Sequence, residues 1–272
     1  MAIVLDNITY TYGMGTPFEK TALRGVSLTI ENGEFLGVIG HTGSGKSTFV
    51  QHLNGLLHPT TGTVTVNGVD ISASTEEAKK MRHKVGMVFQ YPEHQLFEET
   101  IAQDIAFGPK NLGLSADEVD ERVRDAMKFV GLDYDTYAER SPFHLSGGQM
   151  RRVAIAGVVA MEPDFLVLDE PSAGLDPFGR EEIFEEIIRL HKEKGITVIL
   201  VSHNMEDISR MASRLVVLDK GRIVLDGEPM DIFNNHRDEL QAVGVDVPPV
   251  SVTMEYLREQ GLDVSNRVLS VD

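Results

Sequence analysis

The stretch "GHTGSGKST", residues 40–48, sets glycines at 40, 43 and 45 just ahead of a lysine and two hydroxyls. Glycines at that spacing let backbone N–H groups close around phosphate oxygens, and a helix opening at Lys46 adds its partial positive charge. Gly40, His41, Thr42, Gly43, Ser44, Gly45, Lys46, Ser47 and Thr48 thus read as a loop around the phosphates of a nucleoside triphosphate. Lys46 is placed to reach the β and γ oxygens, and the Ser47 hydroxyl to ligate Mg²⁺.

Further along, "FLVLDE" at 165–170 reads as a buried strand carrying two carboxylates to its C-terminal end, the edge at which open α/β sheets bind ligands. Asp169 would hold Mg²⁺ through water, and Glu170 would polarise an attacking water. His203, after another apolar run, could contact the γ-phosphate or that water. Gln90, at a strand end of its own, could sense Mg²⁺ and the water or simply cap the strand. A second glycine-rich turn, "LSGGQMRR" at 145–152, presents Ser146, Gly147, Gly148 and Gln149. It opens a helix expected to begin near Gln149, another anion site.

These residues need an α/β scaffold, and the chain supplies one. Strands are expected at Ile3–Tyr10, Val26–Ile30 and Phe35–Gly40, with an Asn-Gly hairpin signal in "ENGE" before the third. A helix from Lys46 to about Leu57 follows the phosphate loop. Continuous apolar runs at Val85–Phe89, Phe165–Leu168 and Ile196–Val201 are the signature of a parallel sheet covered on both faces. Between about Glu99 and Met161 the periodicity is helical, clearest in the amphipathic Ala116–Val130. "PP" at 248–249 precedes a short polar C-terminal helix.

Composition narrows the function. The chain has 272 residues, 42 Asp and Glu against 25 Lys and Arg, a formal charge of −17 and no cysteine. The acidic balance argues against a nucleic-acid-coating surface. Absence of cysteine removes thiolate metal sites and cysteine nucleophiles, and the other histidines show no metal-ligand spacing. There is no basic-then-apolar leader, and no apolar run approaches the roughly 18 residues of a spanning helix.

Tyr12, the phosphate loop, Gln90, "LSGGQ", "LVLDEP", "SAGLD" and His203 occur in the order and spacing of the ATPase subunits of ABC transporters, which the chain resembles over about residues 3–235. The resemblance implies a P-loop NTPase fold of the ABC type: an α/β core with an antiparallel β subdomain, residues 1–91 and 161–227. A helical signature subdomain would occupy 92–160 and a small C-terminal extension 228–272. It implies that Tyr12 stacks on adenine and that Gln90 serves as lid and coupling residue. It also makes Glu170 the catalytic base, His203 the switch histidine and Asp176 a dimer contact. Ser172 stands where threonine is commoner. The "LSGGQ" segment would close over ATP held by an opposing ATPase chain, itself or a paralogue, in a head-to-tail dimer.

"FQYPEHQLFEETIAQDIAFGPKN", "LSGGQMRRVAIAG" and "GEPMDIF" look like the ATPases of energy-coupling factor (ECF) transporters, bacterial importers of vitamins and transition-metal ions. Within that group "PEHQLFEET" and "QMRR" look more like the second of two paralogous ATPases. That resemblance implies a peripheral subunit on the cytoplasmic face of the cell membrane, partnered by a membrane scaffold (T) subunit and a substrate-capture (S) subunit. Leu96 and Phe97, with Glu93, Glu98 and Glu99 around them, are expected to form apolar anchors with an acidic rim for a coupling helix. The rivals are the ATPase of another ABC importer or exporter, or an ABC ATPase acting on nucleic acid.

Overall fold

The computed structural model describes residues 2–264, so the last residues of the expected C-terminal extension, 265–272, lie outside the described residues. The chain forms two compact units, Met1–Arg82 with Thr197–Asp272, and His83–Ile196.

The first unit begins with β1 (Ala2–Tyr12), β2 (Lys20–Glu31) and β3 (Phe35–Ile39), then α1 (Lys46–Leu53), β4 (Thr61–Val66), β5 (Val69–Asp70) and α2 (Glu76–His83). The strands order β2-β1-β4-β5 into an antiparallel sheet. Alternate residues of β1 face the core: Ile3 pairs with Ile30 and Val66, and Leu5 with Leu28 and Val64. That period-2 pattern is what a sheet with one buried face requires. The "ENGE" turn is not a hairpin, because among the described residues β2 and β3 belong to different sheets. Only Gly33 there takes a positive φ, 80°, whereas the hairpin turn that Asn-Gly favours needs positive φ at both central residues. Helix α1 ends at Leu53 rather than Leu57, as the chain turns through Gly55 at φ 74°.

The second unit opens with β6 (Val85–Val88) and continues through α3 (Ile101–Asn111), α4 (Ala116–Phe129), α5 (Tyr134–Tyr137) and α6 (Gly147–Val159). It closes with β7 (Phe165–Asp169), parallel to β6 with Val88 opposite Leu168, and α7 (Pro177–Lys194). Ser115 and Glu118 cap α4 reciprocally, and Val119, Val123, Ala126 and Met127 form its buried stripe against α3 and α6. A Ser-x-x-Glu box ahead of an amphipathic run is the helix start that the sequence spells out.

Back in the first unit come β8 (Thr197–Val201), α8 (Met205–Met211), β9 (Arg214–Asp219) and β10 (Arg222–Gly227), then α9 (Pro229–Asn235), α10 (Arg237–Ala242) and α11 (Pro249–Glu259). Here the order is β10-β9-β3-β8, with β3 parallel to both β8 and β9. Every residue of β3 and β8 is buried. Central parallel strands covered on both faces read as unbroken apolar runs for this reason. Among the described residues no helix is long and apolar enough to cross a membrane.

Candidate functional site

In the first unit the phosphate loop leaves the C-terminal end of β3 and enters α1. Its glycines are demanded by the backbone: Gly40 and Gly45 sit at φ 152° and 111°. A Cβ on Gly40 would collide with the Leu218 carbonyl oxygen, and one on Gly45 would come within 2.8 Å of the Ala22 carbonyl oxygen. Lys46, only 7% exposed, folds back so that Nζ donates to the carbonyl oxygens of Gly40 at 2.6 Å and His41 at 3.1 Å. The ammonium thus sits inside the ring of backbone that would hold phosphate. The buried Ser44 hydroxyl has no hydrogen-bond partner among the described residues, which suits a loop whose remaining acceptor arrives with a ligand. Ser47 is exposed on the first turn of α1.

Tyr12 ends β1 beside this loop. The residue is 41% exposed, its hydroxyl lies 3.1 Å from the Thr48 hydroxyl, and Tyr10 packs edge-on at 4.8 Å. An exposed aromatic face held at a fixed height is suited to stacking on a base. His41 bridges the loop to the end of β9: Nδ1 lies 2.8 Å from the Thr42 carbonyl oxygen and Nε2 2.9 Å from the Asp219 carboxylate. His203 is exposed just past β8, and the pairing of Val38 with Val201 brings that strand end level with the start of the phosphate loop. A groove of about 770 Å³ separates His203–Glu206 from the C-terminal residues Asp246–Tyr256.

In the second unit β6 and β7 run side by side, so Gln90 and the Asp169–Glu170 pair leave the same sheet edge. Asp169 is buried, and Glu170 takes a left-handed backbone at φ 53°. Tyr91, directly after Gln90, does the same at φ 57°. Such conformations cost roughly 1–3 kcal/mol each and persist where surrounding structure fixes them, often at functional sites. Asp176 caps α7, accepting from the Gly179 amide at 2.7 Å.

The signature turn opens α6 at Gly147 rather than near Gln149. Ser146 is the cap, its hydroxyl accepting from the Gln149 amide while the Gln149 side chain accepts from the Ser146 amide. This is the glutamine form of the capping box, which "SGGQ" already spells. Ser146 and Gly147 are exposed.

The acidic rim expected around Leu96 and Phe97 needs correction. Leu96 is buried, whereas Phe97 is exposed and edge-on to exposed Phe107 at 4.9 Å. Glu93 belongs to no rim: it points inward and binds Arg151 through both oxygens, at 3.0 and 3.1 Å. Phe97, Phe107, Glu98 and Glu99 remain toward the surface, with the Phe97 and Glu98 amides pinned on Asp104 at 3.0 Å each. Sequence reasoning missed Arg151, Asp219 and the Thr48 anchor of Tyr12. An ion pair 58 residues apart in sequence leaves no local periodicity to read.

The ABC transporter family matches residues 23–173. An energy-coupling factor transporter ATP-binding protein, EcfA2, of Clostridium tetani is 55% identical over all of this chain and 94% of its own length. Its namesake in Clostridium perfringens is 53% identical, over 95% of its length. Among solved structures, cbiO1 of Clostridium perfringens, part of the ABC transporter complex cbiONQ, superposes with a TM-score of 0.77 at 36% identity, covering 93% of this chain and 98% of that one. The ATP-binding cassette MJ0796, a dimer bound to ADP and phosphate, gives 0.74 at 31% identity, over 84% and 98%. The chain therefore belongs to the ABC transporter family and, within it, to the energy-coupling factor transporter ATP-binding proteins. It is an ATPase subunit.

Proposed function

We propose that this chain pairs head to tail with a second ATPase chain, itself or a paralogue, and hydrolyses ATP between them to drive a membrane importer. The observation that carries the reading is the preformed phosphate nest of Gly40–Thr48 with Lys46 already seated inside it. Each ATP would lie on the phosphate loop of one chain, its adenine against Tyr12, and be closed over by Ser146–Gln149 of the other. Glu170 would act as general base, oriented by its fixed backbone, with His203 contacting the γ-phosphate and Asp176 the opposing chain.

Mg²⁺ suits the donors available. Ser47, Gln90 and Asp169 offer hard oxygens, and among the described residues no cluster of three or more His, Cys, Asp or Glu could cage a metal alone. Mg²⁺ typically keeps water and takes one or two carboxylates plus substrate phosphates, so it would arrive with ATP. Bound there, it would neutralise charge developing on the phosphoryl oxygens.

Relatives named as a transporter ATP-binding protein and as part of an ABC transporter complex support a peripheral place at a membrane. That place would be the cytoplasmic face of the cell membrane, with a scaffold (T) and a substrate-capture (S) subunit as partners. The solute would be a vitamin or transition-metal ion, captured by the S subunit. The functional domains would be 1–91 with 161–227 for ATP, 92–160 for signature and coupling, and 228–272 as a C-terminal extension whose segment 244–272 would help hold two ATPase chains together without ATP. Phe97 and Phe107, with Glu98 and Glu99 nearby, would receive a basic coupling helix of the scaffold. Copurification and uptake after Glu98→Lys with Glu99→Lys test this: both should fall, and parental recovery with parental uptake would refute the docking surface.

A further inference from the structure

Arg151 is the largest of the fully buried side chains, 2% exposed, yet it carries a charge. It projects from the second turn of α6, five residues beyond the Ser146 cap, and its guanidinium is shared between two other segments. Nε and Nη2 donate to both oxygens of Glu93 at 3.1 and 3.0 Å, and Nη1 donates to the Pro171 carbonyl oxygen at 3.0 Å. Glu93 lies in the short 3-10 helix Pro92–Gln95, two residues past the left-handed Tyr91. Pro171 directly follows the left-handed Glu170.

One planar fork therefore fixes two segments, each entered through a strained residue. A left-handed glutamate persists only when its surroundings hold it, and the carbonyl one residue on is held by Arg151. The fork is itself held by a bidentate carboxylate on the segment that leads to Phe97. Lysine would not reproduce this, because a flexible ammonium lacks the coplanar donors that reach a carboxylate and a carbonyl together. Nor can the fork drift, since a buried charge deprived of its partner is strongly disfavoured.

We infer that Arg151 is a positioning residue for hydrolysis: it sets the backbone at Glu170 and makes that setting depend on the Glu93 segment. The inference rests on the reading of Glu170 as base. A partner that shifts the segment around Glu93 would move the guanidinium, and with it the turn that aims the base, without touching the phosphate loop.

The test is a mutant cycle on the purified full-length chain, reading steady-state ATP hydrolysis and binding of a fluorescent ATP analogue. Arg151→Lys should lower kcat about tenfold, with KM and analogue affinity within about twofold, because nucleotide is held by the other unit's loop. Glu93→Gln, which keeps the shape and weakens the clamp, should lower kcat about threefold. In a Glu170→Gln background both effects should vanish, since residues acting through one group are not additive. A parental kcat in both variants would overturn the inference. So would undiminished losses in the Glu170→Gln background, or losses that track thermal stability alone. If Arg151→Lys does not fold, the Glu93→Gln cycle decides alone. A parental rate for Glu170→Gln by itself would instead overturn the base assignment, and the inference with it.

Discussion

The phosphate loop and the signature turn both begin a helix with glycine, and they differ in who needs the glycine. At Gly40 and Gly45 the chain needs it: the backbone is at positive φ, and a Cβ would strike neighbouring carbonyl oxygens. At Gly147 and Gly148 the chain has no such need, since a Cβ there would meet nothing within 4 Å. The first turn is concave and occupied by its own lysine; the second is exposed and capped by its own serine and glutamine. Glycine in a helix forfeits up to about 1 kcal/mol relative to alanine. Where the fold gives it no return, the open space suits something that approaches from outside, as ATP on an opposing chain would under the proposed pairing.

The sharpest way to separate the two turns is to disable each. Lys46→Ala removes a charge-assisted contact to two phosphate oxygens, so ATP-analogue affinity should fall about 100-fold, from roughly 1.5 kcal/mol per contact. Retained affinity would break the assignment of the loop. Ser146→Arg should leave affinity in the isolated chain within about twofold while hydrolysis drops about tenfold or more, the loss of one aligned set of transition-state contacts. Mixed pairs carrying one substitution on each chain should keep one intact site. Loss of binding by the isolated Ser146→Arg chain would erase the distinction altogether.

Alanine scanning of the glycines should give opposite signs. Gly40→Ala should destabilise by about 2–3 kcal/mol, from positive φ combined with a steric clash. Gly148→Ala should stabilise by about 0.5 kcal/mol, raising Tm by roughly 1–2 °C, while slowing hydrolysis. Calorimetry of the two variants reads this directly, and a destabilised Gly148→Ala would show that the fold does need that glycine.

The smallest effect concerns the helix behind the signature turn. On α6, Arg152 pairs with Glu182 of α7, beside Glu186, whose Oε2 is buried with no hydrogen-bond partner among the described residues. Burial pushes the Glu186 carboxyl up to about 7, against the pull of Arg152 and Arg189. A raised folded value means its contribution to stability is complete below the ordinary carboxylate range and lost as pH rises through about 7. Glu186→Gln should therefore shrink the difference in Tm between pH 5.5 and pH 8. An unchanged difference would place the titration elsewhere.

The phosphate loop was legible because its requirements are local: glycine where φ is positive, a lysine one step later, strand before and helix after. The same holds for the buried strands Phe165–Asp169 and Thr197–Val201, whose unbroken apolar runs announce cover on both faces. The capping box at Ser146 was legible too, and reading it would have started the helix two residues earlier than Gln149.

What sequence alone determined is therefore the family, the local form of the phosphate loop and the buried strands that flank it, since these rest on neighbours a few positions apart. Tertiary structure alone decided which of Leu96 and Phe97 faces the core, that "ENGE" passes between sheets, and that Glu93 turns inward to Arg151. Adjacent residues of like hydrophobicity carry no sign of which way they face. A buried ion pair forms between segments that meet only after the helices have packed, and its energy depends on that packing to exclude water.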